Sequence, residues 1–111
     1  MSAPLSPELL HLIAERFRVL AEPARLHILN VLLQGERTVG DLVDATGLNQ
    51  ANVSKHLRLL RSSGFVDRRK DGLYAWYRVA DPSVAQLCEI MCGRLEANVA
   101  ERAALLTTRS S

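Results

Sequence analysis

The sequence predicts a mainly α-helical single domain carrying one β-hairpin, in the order α-α-α-α-β-β-α. Three observations predict it. Apolar residues recur at helical spacing from Leu9 to Leu60. The period then changes at Phe65–Val79, where β-branched and aromatic residues flank an Asp-Gly pair. Helical spacing returns after Asp81-Pro82. A chain of 111 residues is short for two separate cores, and 48% hydrophobic with 23% charged residues is ordinary globular composition.

Ser6-Pro7-Glu8 opens the first helix with an N-cap, a proline at its first position and an acid in its first turn. Leu9, Leu10, Ile13, Phe17 and Leu20 make that helix amphipathic, with Arg16 and Arg18 read as solvated charges. Glu22-Pro23 breaks it. A second helix runs through Leu26, Ile28, Leu29, Val31, Leu32 and Leu33 to a stop at Gly35. Apolar nearly all round, it is expected at the buried centre, with His27 as a hydrogen-bonded core residue. Thr38 followed three residues on by Asp41 is a capping-box start for a short third helix that ends at Gly47. Asn49 caps a fourth helix, which reaches about Ser63 and stops at Gly64. Two helices separated by a short turn around a glycine make a helix-turn-helix.

Phe65–Arg69 and Leu73–Val79 form the hairpin, with Lys70-Asp71-Gly72 as its turn. Tyr74, Trp76 and Tyr77 are expected to pack the hairpin. The last helix, about 82–105, carries Val84, Leu87, Cys88, Met91, Leu95 and Val99 on one stripe, and the polar tail from Thr107 is expected to fray.

Met1–Glu8 has no basic n-region and no long apolar run, so no signal peptide is read there. No apolar run approaches the roughly 20 residues that span a bilayer. The reading is a cytoplasmic protein with no membrane partner, whose two cysteines are reduced.

Net charge is only +2, but its distribution is uneven. From Asn49 to Lys70, six cations (Lys55, Arg58, Arg61, Arg68, Arg69, Lys70) face the single acid Asp67. From Asp81 onward, three arginines face four acids. On the fourth helix Val53, Leu57 and Leu60 turn to the core. Ala51, Lys55 and Arg58 turn away, flanked by Asn52 and Ser54, with Asn49 and Gln50 at the N-terminal end. Amides, a hydroxyl, a small residue allowing close approach and two cations are what a helix needs to enter a major groove. Arg68, Arg69 and Lys70 on the hairpin extend the basic surface toward the adjacent backbone or minor groove. His56, at the border of the buried face, is expected to brace the turn. This combination points to double-stranded DNA rather than to a dimerisation module alone. It is not that of an enzyme: a small thiol oxidoreductase would want a Cys-X-X-Cys or a nucleophile–base pair, and neither is present.

With these residues set out, a resemblance emerges. Phe17-Arg18-Val19-Leu20-Ala21-Glu22-Pro23-Ala24-Arg25-Leu26-His27-Ile28-Leu29 resembles the opening of the ArsR/SmtB-type metal-sensing repressors. Asn52–Arg61 resembles their recognition helix, and the stretch from Gly64-Phe65-Val66 their wing. The likeness covers roughly residues 8–98. It implies a winged helix-turn-helix, a homodimer through the first (about 6–21) and last (about 82–105) helices, and repression relieved by an inducer. A terminal helix with an apolar stripe and little core to cover fits that dimer. Two recognition helices would meet a palindromic operator at major grooves about 34–36 Å apart.

The inducer sites that the resemblance implies are not intact. The Cys-X-Cys-Asp run of the third helix is Thr38-Val39-Gly40-Asp41 here, without either thiol. Of the zinc set on the last helix Asp81 is kept, but Ser83, Arg94 and Ala97 stand at the other places. What is left is Cys88 and Cys92, four residues apart on one helical face, with about 5–6 Å between β-carbons. That spacing suits a shared thiophilic metal or metalloid ion, and is long for a disulfide within one helix. Three readings stand open: a metal(loid) site, an oxidant or reactive-sulfur sensor, and two small packing residues in a constitutive regulator. A lone histidine, His11, is read as an edge residue rather than a ligand.

Overall fold

In the computed structural model, which describes residues 4–110, Ser6, Thr38 and Asn49 each cap a helix as the sequence places them, and Glu22, read only as a break, caps another. Met1–Ala3, the start of the segment read for a leader, and Ser111 lie outside the described residues. The Ser6 hydroxyl accepts from the Leu9 amide at 3.2 Å and starts α1 (Pro7–Leu20). Glu22 caps α2 (Pro23–Leu32) through the Ala24 amide at 3.4 Å. Thr38 and Asp41 form a reciprocal capping box, both bonds 3.1 Å, at the head of α3 (Val39–Thr46). The Asn49 carboxamide oxygen accepts from the Asn52 amide at 2.8 Å at the head of α4 (Gln50–Ser62). A cap of this kind contributes about 0.5–2 kcal/mol, which matters most for a helix as short as α3.

The chain divides after Asp81 into two compact units. In the first, Ile28, Leu29, Leu42, Val53, Leu57, Leu60, Phe65, Val66 and Tyr77 are buried and form a core shared by α2, α3, α4 and the hairpin. One expectation, that of a second helix buried all round, is corrected here. Only one side of α2 enters this core: Leu26 is 42% exposed and His27 is exposed rather than a core residue. The apolar stripe of α1 also faces outward, with Leu9, Leu10 and Phe17 at 42%, 50% and 56%, and only Val19 and Leu20 are buried. The core is filled from α2 onward, and the body of α1 has no place in it.

The hairpin is antiparallel, β1 (Val66–Asp71) with β2 (Tyr74–Val79), and its register runs from Val66 opposite Val79 to Asp71 opposite Tyr74. The loop is therefore Gly72-Leu73, and Lys70 and Asp71 belong to β1 rather than to the turn. The reason is conformational. Gly72 has φ +62° while Leu73 does not have a positive φ, the type II′ pattern, which requires glycine at the first central position. Arg37 adds a short third edge: it exchanges both backbone bonds with Tyr77, at 3.0 and 2.8 Å.

The second unit is α5 (Pro82–Ser110), which continues to Ser110 instead of ending near residue 105. Ala103, Ala104, Leu105 and Leu106 are good helix formers, so the helix propagates past residue 105. Ile90, Met91, Leu95, Val99, Leu105 and Leu106 are each at least 59% exposed along it. Among the described residues, no helix is long and apolar enough to cross a membrane.

Candidate nucleic-acid interface

The fourth helix separates its two faces as its sequence requires. Val53, Leu57 and Leu60 are buried, whereas Asn49, Gln50, Ala51, Asn52, Lys55 and Arg58 are exposed and Ser54 is half-buried. Lys55, Arg58 and the neighbouring Arg61 make no ion pair with any other described residue, so their charge is available to a ligand. His56 points the other way. Its Nδ1 lies 3.3 Å from an Arg25 guanidinium nitrogen, in keeping with a bracing role between α4 and α2. Partial burial, then the Arg25 charge, hold its pKa below the ordinary 6.5.

On the hairpin, alternation places Arg68 and Lys70 on one face and Arg69 on the other. Arg68 and Lys70 are exposed and unpaired among the described residues. Arg69 is not a free cation at the tip. Its Nε lies 2.9 Å from the Glu36 carboxylate, its Nη1 3.7 Å from that of Asp71, and its guanidinium 5.7 Å from the Trp76 ring centre. The apex instead carries Leu73, 99% exposed.

Arg16, expected to be a solvated charge, is a buttress. It donates to the Ser63 carbonyl at 2.7 Å and to the Asp81 carboxylate at 2.8 Å, with its guanidinium 4.4 Å above the Phe65 ring. It thereby ties α1 to the end of α4 and the start of β1. Sequence reasoning missed it because its partners lie 47 and 65 residues away and leave no local signal.

The same contacts bear on metal binding. Asp81, the one residue kept from the last-helix zinc set, is engaged by Arg16, and the Asp41 carboxylate is engaged by the Thr38 amide. Neither ligand set implied by the family fits these residues. Among the described residues, no group of three or more His, Cys, Asp or Glu side chains could hold a metal ion. Cys88 and Cys92 are free thiols, the first half-buried and the second exposed. Burial, and secondarily Cys92, push the Cys88 thiol above its ordinary pKa.

Comparison with known proteins decides the family. The signature described as bacterial regulatory protein, arsR family, matches residues 22–68, from the α2 cap into β1. The uncharacterized HTH-type transcriptional regulator Rv0081 of Mycobacterium tuberculosis is 38% identical over 102 residues, 91% of this chain and 90% of that protein. The chain belongs to the ArsR family. The crystal structure of Rv0081 superposes with a TM-score of 0.78 at 37% identity, covering 89% of this chain and 99% of that one. A probable mercury resistance operon repressor of Streptomyces lividans is 46% identical over 74 residues, 67% of this chain but only 59% of that repressor. The homodimeric winged helix-turn-helix DNA-binding domain of Mb0332 from Mycobacterium bovis, solved by NMR, has a TM-score of 0.76 at 34% identity, covering 89% of this chain and 94% of that one. These ArsR-family relatives are transcription regulators rather than enzymes, and this chain shares their winged-helix fold.

Proposed function

We propose that this chain is a cytoplasmic transcriptional repressor that binds a palindromic DNA operator as a homodimer. The observation that carries the reading is the outer face of α4: amide, hydroxyl and unpaired cationic groups on a helix whose opposite face is locked in the core. Asn49, Gln50, Ala51, Asn52 and Ser54 read base edges, Lys55 and Arg58 hold phosphates, and Arg68 and Lys70 reach the flanking backbone from the wing. The exposed apolar residues of α1 and α5 supply the dimer contact, and the similar DNA-binding domain of Mb0332 is homodimeric. Selection of duplexes from a random library, followed by fluorescence anisotropy at fixed salt, tests this. A palindromic consensus bound by two chains supports it, and the absence of any enriched sequence sinks it.

We further propose that a thiophilic metal or metalloid ion releases the operator by binding Cys88 and Cys92. One exposed and one half-buried thiol on one face of α5 suit a soft ion, which displaces protons on binding. The similarity to a probable mercury resistance operon repressor points the same way. Mercuric ion, arsenite and an organic polysulfide, each added to the protein–DNA complex, separate the chemistries. Release by a metal(loid) in the wild type but not in Cys88→Ser/Cys92→Ser supports the site. Release by polysulfide alone reassigns it to sulfur sensing, and no release leaves a constitutive regulator whose cysteines are packing.

A further inference from the structure

We infer that Arg69 is a positioning residue that straps the wing to the body, and that it contacts no DNA itself. The inference rests on the DNA-binding reading of α4 and the wing. Arg69 stands on β1 directly opposite Trp76 on β2, and Tyr77, next to Trp76, is bridged along the far edge of β2 by Arg37. The Arg69 side chain therefore crosses β2, passes the Trp76 ring and ends on Glu36, the residue before that bridge. One side chain spans all three edges of the small sheet. The anchor is itself held: the Glu36 carbonyl accepts from the Arg37 guanidinium at 2.8 Å. Alternation along β1 then turns Arg68 and Lys70 to the opposite face, where neither has an anionic partner among the described residues. A two-stranded ribbon alone is a marginal, twisting structure, so a cross-sheet strap fixes the direction in which Arg68 and Lys70 are presented.

The sign of one substitution separates strap from contact. Glu36→Gln removes an acid and leaves Arg69 fully charged. If Arg69 held a phosphate, that change would free the cation and tighten binding. If Arg69 is a strap, the wing loosens and binding weakens by about two- to five-fold, the scale of a partly exposed ion pair. The probe is a duplex selected by the wild-type protein from a random library, read by anisotropy, with a random-sequence duplex of the same length alongside. The expected result is weaker binding of the selected duplex by Glu36→Gln, with a fall of no more than a few degrees in melting temperature. Arg69→Gln is expected to add little on top, because both changes undo one contact. The charge swap Glu36→Arg/Arg69→Glu rebuilds the strap at constant net charge and is expected to recover most of the affinity, which no phosphate-binding arginine would allow. Tighter or unchanged binding by Glu36→Gln overturns the strap while leaving the DNA-binding reading intact. Failure of the wild type to select any duplex overturns both.

Discussion

The guanidinium of Arg16 and the carboxylate of Asp81 meet at 2.8 Å across 65 residues of sequence. The relationship occupies the one acid kept from the last-helix zinc set that the resemblance implies, and uses it to fasten α1. Arg16 also rests on Phe65 and on the Ser63 carbonyl, so its removal loosens three places in the same unit. Arg16 is 46% exposed, so the ion pair itself is discounted for solvent screening. Together with the lost carbonyl bond, Arg16→Ala is expected to destabilise by about 1–2 kcal/mol, a fall of roughly 4–12 °C in Tm. Arg16→Lys keeps the charge but not the fork, and should fall between. A melt of Arg16→Ala that overlays the wild type would refute the buttress.

Lys55 and Asn52 should separate electrostatic from sequence-specific binding. Lys55→Ala is expected to weaken all duplexes alike and flatten the log–log salt dependence by about 0.9. Asn52→Ala is expected to weaken only the selected duplex, by about 1–3 kcal/mol, with the salt slope unchanged. Anisotropy titrations at several salt concentrations measure both.

His56 predicts a pH dependence of stability. Its folded pKa lies below the unfolded 6.5, so the unfolded chain takes up the proton more readily. The stabilisation is therefore fully present above pH 6.5 and is lost as the pH falls through the folded value. His56→Gln stays uncharged. The wild type should lose more stability than His56→Gln between pH 7 and pH 5, in paired denaturant titrations. Parallel losses would count against the proton linkage.

Leu95 tests the dimer surface. It is 62% exposed on α5, where a charge has no local penalty. Leu95→Glu is expected to shift sedimentation from dimer to monomer without loss of helical circular dichroism, and to weaken operator binding with it. An unchanged dimer would place the contact elsewhere.

What was legible in the sequence was local. Ser6, Thr38 and Asn49 each cap the helix that follows because their hydroxyl or amide reaches an amide three residues on. Val53, Leu57 and Leu60 share a face because helical geometry alone decides it. The proposed reading surface of α4 follows from the same periodicity. What was not legible depends on neighbours far along the chain. Arg16 and Arg69 have no sequence mark distinguishing them from solvated arginines, since their partners Asp81 and Glu36 arrive only with the fold. His27 sits in an apolar run but on the exposed side of α2. The turn starts two residues later than expected because the positive φ belongs to Gly72, and Lys70 and Asp71 could pair across the strand.

Only Gly47, Leu48 and Asn49 separate α3 from α4, and each is fastened. Gly47, at φ +75°, closes on the Val43 carbonyl at 2.9 Å; the Leu48 amide donates to the Thr46 hydroxyl at 3.3 Å; Asn49 caps the next helix. Every residue of that corner is bonded, so the proposed reading helix has no free linker to α3. On the proposed reading, release of the operator would work as one resets a pair of calipers: the jaws keep their shape, and only the gap between them changes against the pitch of the groove.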